Sequence, residues 1–326
     1  MKKWNEILVL VIAIALVSCN QQKSTNSSTH GIAKIMCDES FRNILDQEVE
    51  VFEYSYPDAH VMVDYTDEKA ALDSLLHKNT DLIIVSRDLT DEQREILKKQ
   101  GRAYRSRKIA VDAVAIIVNK ANDIEELSLA DLRDIFSRKV ERWGQVSPTS
   151  LKNENIEVVF DGSGTGVMHY IQDKFMDGAK FADNVYAQKS TEDVFLAVET
   201  HKNAIGFVGV SWITADLKSN ERTIQDKITA LNDPNSAPEV IDFTNRIKVM
   251  DIRGEDQTKG MKPYQAYIFD GSYPLFRTIY AIDASASGTL DHGFFSFLTG
   301  VIGQKIILQT GIVPASAPVR TVELVN

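Results

Sequence analysis

From Gly31 onward, short apolar runs of strand length alternate with amphipathic stretches of helical period, and this alternation restricts the possible folds more than any other feature of the chain. "GIAKIMCD" (31–38) reads as a strand. The next segment carries Phe41, Ile44, Leu45, Val49, Val51 and Phe52 at mostly helical spacing and ends at Pro57. "HVMVDY" reads as a strand, "DEKAALDSLLHKN" as a helix and "TDLIIVS" as a strand. The order β-α-β-α-β predicts a parallel sheet with helices on its faces.

The rest of the chain continues in the same style. "KIAVDAVAIIVNK" (108–120) is β-rich and longer than an ordinary strand of about 5–6 residues. In "LSLADLRDIF", Ser128 and Asp131 have capping-box spacing, and Leu129, Leu132, Ile135 and Phe136 form the apolar face. "IEVVF" and "AIGFVGVSW" read as strands, separated by helical patterns at 166–177 and 191–200. Residues 214–246 are polar, with "NDPNSAPE" a loop. "IKVMDI", "YQAYIFD" and "FRTIYAI" read as strands, and the last long pattern is helical up to Gly311, which suits a helix C-terminal cap. No internal repeat is visible. The 326 residues suffice for two domains, and 44% hydrophobic residues suffice for a full core.

The first eighteen residues are read separately. Lys2 and Lys3 precede the apolar run Ile7–Val17, which is shorter than the about 20 residues a membrane-spanning helix needs. It suits a secretory signal, residues 1–18. The ending "LVSC" resembles the bacterial lipoprotein signal, in which cleavage leaves the Cys, here Cys19, as a lipidated N-terminus. The alternative is a plain signal peptide with an incidental Cys. Residues 19–30 are polar and aperiodic and read as a flexible tether. Cys37 is then the one remaining thiol, so no intramolecular disulfide is expected, and its apolar context predicts a buried free Cys. The chain holds 36 Lys and Arg against 46 Asp and Glu; removing Lys2, Lys3 and Glu6 with the signal leaves a net charge of −11. Such a surface opposes binding to nucleic acid or anionic membranes at long range. An anion site on this chain must rely on short-range hydrogen bonds, since surface charge is screened within about 8 Å.

Three turns from strand to helix could supply such bonds: "CDESF" (37–41), "VSRDLTDEQ" (85–93) and "DGSGTG" (161–166). A helix N-terminus offers unpaired N–H groups and about half a positive charge. Ser, Thr and Asp are also ordinary N-caps, so each turn has a purely structural reading. The glycines flanking Ser163 suit close backbone approach to a ligand. "DGSGTG" is not a P-loop, which needs Lys after its glycines; nor a nucleophile elbow, because Asp161 stands where Gly is required; nor the dinucleotide fingerprint G-x-G-x-x-G. The six His are scattered with no metal-ligand spacing, and no nucleophile–base pair stands out. Neither a metal, a cofactor nor an enzymatic activity is expected.

Several segments together resemble the phosphate-binding proteins of bacterial ABC importers, in the type II periplasmic binding-protein superfamily. They are "TDLIIVSRDLT", "VDAVAIIVNK", "LSLADLRDIFSRKVERW", "FDGSGTG", "AIGFVGVSW", "YPLFRTIYAI" and "GQKIILQTGIVP", in the family's order from about residue 31 to 320. The resemblance implies a two-lobed α/β fold, each lobe a mostly parallel sheet flanked by helices, with two hinge crossings near 114–119 and 277–282. Lobe one would comprise 31–115 plus 280–326, and lobe two 116–279. The ligand would lie in the cleft between them.

Carried over residue by residue, the family's contacts fall on Ser40 and Phe41, on Ser86, and on Ser163, Gly164, Thr165 and Gly166. The implied protein is a monomeric, lipid-anchored binding component on the periplasmic side of the cell envelope, serving a permease and a cytoplasmic ATPase, with inorganic phosphate as ligand. Two departures from the family pattern bear on the ligand. Val159 stands where many members carry Arg, and Asp67 and Glu68 replace small donors in the first lobe. Ser86 stands where members often have Asp or Ser. Arg87 or Arg42 is the expected substitute for the missing charge. An anion sensor or scaffold that kept the fold, and a binder of another oxyanion or an organic phosphate, are the alternatives.

Overall fold

The computed structural model describes residues 26–162, 164–216, 223–232 and 247–316. The signal segment, Cys19, the start of the tether and Ser163 lie outside them.

The alternation seen in the sequence builds β1 (Gly31–Asp38), a 3-10 turn (Glu39–Phe41), α1 (Arg42–Ser55), β2 (Ala59–Thr66), α2 (Glu68–Leu76), β3 (Leu82–Val85) and α3 (Asp91–Lys99). β4 (Arg105–Asn119) follows as a single strand. Next come β5 (Glu126–Ser128), α4 (Leu129–Phe136), α5 (Trp143–Val146), β6 (Glu157–Phe160), α6 (Gly166–Met176), β7 (Val185–Ala187), α7 (Thr191–Thr200) and β8 (Ala204–Gly209). The chain continues through α8 (Val210–Asp216), α9 (Ile224–Asn232), β9 (Ile247–Val249), β10 (Asp251–Arg253) and α10 (Gln265–Phe269). It closes with β11 (Phe276–Asp283), α11 (Leu290–Thr299), α12 (Val301–Gln309) and β12 (Val313–Pro314).

The strands join in the order β2-β1-β3-β11-β4-β8-β6-β7, with β9 and β12 also paired to β4. Pairing is parallel in β2-β1-β3 and in β8-β6-β7, and antiparallel around β11 and β4. β4 is long because it serves two sheets. Its first part, through Ala113, pairs with β11, and from Val114 it pairs with β8. The return crossing lies beside it, where the Val114 N–H donates to the carbonyl of Leu275 at 2.8 Å. Two lobes result, and the mouths of α1, α2 and α6 meet between them. Phe52, Phe294 and Phe297 pack edge-on and stacked in one lobe. Phe136, Phe160, Phe175, Phe181 and Phe207 pack together in the other.

Local signals are realised where expected. Ser128 and Asp131 form the capping box of α4, and Thr90 and Gln93 form another at α3. Gly311 takes φ 85° just past α12, the left-handed position a helix-ending Gly permits. Cys37 is a buried free thiol.

Two readings are corrected. "YQAYIFD" contains α10 rather than a strand, because its spacing brings Ile268 into the core one turn after the N-cap residue Tyr264. "IKVMDI" is two short strands, β9 pairing with β4 and β10 with β5. The loop read at "NDPNSAPE" lies, after Asn232, outside the described residues, and within the polar stretch 214–246 the structure adds α9. α9 lies between β8 and β9 in sequence, yet it packs on α1 and α12 of the other lobe. Leu231 is buried against Val51 and Ile306. Tyr54 Oη donates to Gln225 at 3.0 Å, and Lys227 Nζ meets Glu50 at 2.5 Å. No described helix is long and apolar enough to cross a membrane.

Candidate functional site

The three turns singled out in the sequence converge between the lobes. At the end of β1, Asp38 caps the 3-10 turn. Its Oδ1 accepts the Ser40 N–H at 3.0 Å and the Ser40 hydroxyl. Ser40 and Phe41 are buried. Just after β3, Ser86 donates its N–H to Glu68 Oε2 at 2.8 Å, and its hydroxyl donates to the same oxygen. In the other lobe, Thr165 caps α6, accepting the Met168 N–H at 3.4 Å and donating to Asp161 Oδ1 at 2.7 Å. Thr191 donates to Asp161 Oδ2 at 3.2 Å.

Among the described residues, four hydrogen bonds cross the cleft. The Gly166 N–H donates to Asp38 Oδ2 at 2.7 Å, and the Glu68 N–H to the Gly164 carbonyl at 3.3 Å. Trp212 Nε1 donates to the Ser40 carbonyl at 2.9 Å, and the Ser211 hydroxyl to Asn43 Oδ1 at 3.2 Å. The glycines of the third turn permit this approach. A Cβ on Gly164 would stand 2.9 Å from Asp67 Cβ, and one on Gly166 2.9 Å from Ser86 Oγ and 3.1 Å from Arg277 Nη1.

That last distance identifies a residue the sequence reading did not single out. Arg277, on β11, is 3% exposed. Its Nε and Nη2 donate to Asp112 Oδ2 at 3.2 and 3.0 Å, and its guanidinium lies 4.3 Å from the centre of the Phe41 ring. Its Nη1 has no hydrogen-bond partner among the described residues and lies beside the mouth of α6. A signal for this pair was present. Arg277 and Asp112 each interrupt an apolar β run, "LFRTIYAI" and "IAVDAVAII", and the two strands place them directly opposite one another. Buried charges need such a partner.

The substitutes expected for the missing Arg are engaged elsewhere. Arg42 binds both oxygens of Glu39 at 2.7 Å and covers the Tyr65 ring at 3.9 Å. Arg87 donates to the Asp88 carbonyl at 3.1 Å and to Gln93 Oε1 at 3.0 Å, and its Nε is 3.5 Å from Glu68 Oε1. Val159 is buried in the core on β6. The guanidinium at the α6 mouth is therefore that of Arg277.

Carboxylates crowd this cation. Burial pushes Asp38 up to about 7, against the pull of Arg277 and the Ser40 hydrogen bond, with Asp161 and Glu68 adding to the rise. Burial also raises Asp112 and Asp161, each opposed by Arg277. The site thus offers hydroxyl donors, a helix N-terminal N–H and one buried guanidinium, within reach of carboxylates that can accept protons. Among the described residues no cluster of His, Cys, Asp and Glu could hold a metal ion.

A family model described as a PBP superfamily domain matches residues 22–300. The phosphate-binding protein PstS of Staphylococcus epidermidis is 26% identical over 295 residues, covering 87% of this chain and 81% of the relative. PstS of Staphylococcus aureus is 24% identical over 287 residues, covering 86% and 78%. Among solved structures, a Clostridium perfringens protein assigned as a phosphate ABC transporter substrate-binding protein, solved with phosphate bound, superposes with a TM-score of 0.67 at 19% identity, covering 88% of this chain and all of that one. An ABC-type phosphate transport receptor from Vibrio cholerae gives 0.60 at 19% identity, covering 87% of this chain and all of the receptor.

Proposed function

Because the chain belongs to the PBP superfamily, we propose that it is the substrate-binding component of an ABC importer and that its ligand is inorganic phosphate, held between the lobes at the mouth of α6. One observation carries the reading: a buried guanidinium N–H without a partner among the described residues lies beside a helix N-terminus at the meeting point of Ser40, Ser86 and Thr165. An unpaired buried donor is costly, and an oxyanion is the ligand that would satisfy it together with the helix dipole. Curated relatives of this length that are phosphate-binding proteins support the choice of anion.

On this reading Ser40, Ser86, Ser163 and Thr165 supply hydroxyls, Gly164 and Gly166 supply backbone N–H groups, and Phe41 supplies the floor under Arg277. Arg277 takes the place expected for Arg87. The binding lobes are 31–115 with 280–326, and 116–279, and the protein works as a monomer. A lipid on Cys19 holds it at the outer face of a membrane, where it delivers phosphate to a permease driven by a cytoplasmic ATPase. The protein performs no chemistry on its ligand.

The test is calorimetric titration of residues 24–326, stripped of ligand, with phosphate and then sulfate. Tight phosphate binding that sulfate does not compete away is expected. No heat with either anion at millimolar concentration refutes the phosphate reading and favours a sensor, or a binder of an organic phosphate, on the same fold.

A further inference from the structure

The donors that would hold an oxyanion already hold a carboxylate. Asp38 Oδ2 sits on the Gly166 N–H at 2.7 Å, at the N-terminus of an eleven-residue helix, while Asp38 Oδ1 takes both donors of Ser40. Asp38 belongs to one lobe and Gly166 to the other, 128 positions away. The carboxylate has the charge and lone pairs that the helix mouth selects in any anion. We propose that Asp38 is an internal competitor for the ligand site: its carboxylate ties the lobes together at the mouth of α6, and an entering oxyanion binds by exchanging with it.

The inference rests on the oxyanion reading of the cleft. Exchange has a consequence for protons. Once displaced, Asp38 remains beside the bound anion, and two adjacent anions in a buried site cannot both stay charged. The charged and titratable groups facing Asp38 are Arg277 from β11, Asp161 from the end of β6, Glu68 from α2 and its neighbour Cys37 on β1. Arg277 is already paired with Asp112, and Arg87 and His169 lie 3.5 and 3.9 Å from Glu68, so the cationic groups at the site are matched by carboxylates before a further negative charge enters. Asp38 therefore takes one proton from solvent as the oxyanion binds. That O–H bond is the only covalent bond formed, and the bond to the same proton in its donor is the only one broken. Burial, which already pushes Asp38 up to about 7, puts the proton within reach near neutral pH.

The experiment compares the wild type with Asp38→Asn and Asp38→Ala at pH 8, using inorganic phosphate as probe. Asp38→Asn removes the competing charge and keeps the shape. It is expected to bind phosphate at least about tenfold more tightly, the equivalent of one pK unit or more of relieved repulsion. Titration in two buffers of different ionisation enthalpy should show the wild type taking up close to one proton per phosphate more than Asp38→Asn. Asp38→Ala removes the tie itself, so small-angle scattering of the unliganded variant should give a larger radius of gyration than the unliganded wild type. Equal or weaker phosphate binding by Asp38→Asn, or no difference in proton uptake, overturns the exchange. Equal radii for Asp38→Ala and wild type overturn the tie. If phosphate gives no heat with either the wild type or Asp38→Asn, the phosphate reading and the exchange both fail, and the scattering comparison alone decides whether Asp38 holds the lobes.

Discussion

Replacing Arg277 by Met separates the two things this side chain does. The first is structural. Arg277 and Asp112 form a buried pair joined by hydrogen bonds of 3.2 and 3.0 Å, with both side chains almost fully covered. Removing one partner strands the other, and such losses run to about 3–5 kcal/mol. Asp112 is already raised by burial, and Arg277 is the group that holds it down, so Arg277→Met should raise it further toward its protonated form. Protonation makes the loss smaller but does not abolish it. The second role is in binding. The free Nη1 would give the oxyanion a charge-assisted hydrogen bond worth about 1.5–3 kcal/mol. At about 1.4 kcal/mol per decade, that is a loss of roughly 10- to 150-fold in phosphate affinity. Urea unfolding reads the structural role and calorimetric titration reads the other. The double variant Arg277→Met with Asp112→Asn has no stranded charge, so it should recover part of the stability and none of the affinity. If that double variant folds and binds phosphate as tightly as the wild type, Arg277 is not the anion's cation and the assignment is wrong.

Three further outcomes follow from the geometry. Asp38 is raised from an ordinary carboxyl value of 3.8 to about 7. The folded protein therefore holds its proton more tightly than the unfolded chain, and the stabilisation is complete below about pH 4 and lost as pH rises through 7. Asp112 and Asp161 are raised in the same direction. The unliganded wild type should melt higher at pH 5.5 than at pH 8, Asp38→Asn should show a smaller difference, and a wild type that melts higher at pH 8 contradicts the burial argument. Gly166→Ala places a methyl 2.9 Å from Ser86 Oγ and 3.1 Å from Arg277 Nη1; it should cost about 1–3 kcal/mol by overpacking and weaken phosphate binding, and an unchanged titration would show that the anion sits elsewhere. Leu231→Ala, at the point where α9 docks on the opposite lobe, should cost about 2–5 kcal/mol and speed proteolysis near α9. Unchanged unfolding and cleavage would mean that α9 is not docked there in solution.

Much of the fold was legible because it is written locally. A strand or helix declares itself through the period of its apolar residues, and a cap through two side chains three positions apart. The β-α-β-α-β start, the length of β4, the Ser128–Asp131 box and the Gly311 stop are all signals of that range. The same reasoning failed where tertiary packing outweighed local pattern. "YQAYIFD" has β-favoured residues, yet Gln265 Nε2 bonds the carbonyls of Leu308 and Ile312, and Ile268 seats in the core as part of a single helical turn. α9 is polar by composition, and only its position against Val51 and Ile306 gives Leu231 something to bury.

For the site, the sequence determined the parts: three turns with hydroxyls and glycines at helix mouths, which any chain with these residues would carry. The tertiary structure decided what those parts face. Nothing within a few residues of Asp38 indicates that it meets Gly166 from the other lobe. Nothing near Ser86 indicates that Glu68 supplies a carboxylate to its hydroxyl. Arg87 and Arg42 were closer to the turns in sequence than Arg277, and the cation that reaches the mouth of α6 comes from a strand in the return crossing. The physical reason is the range of the forces involved. Helix and strand preferences are settled between neighbours along the chain. Charge pairing and desolvation act through space at a few ångströms, and they depend on which distant segments the sheet order brings together.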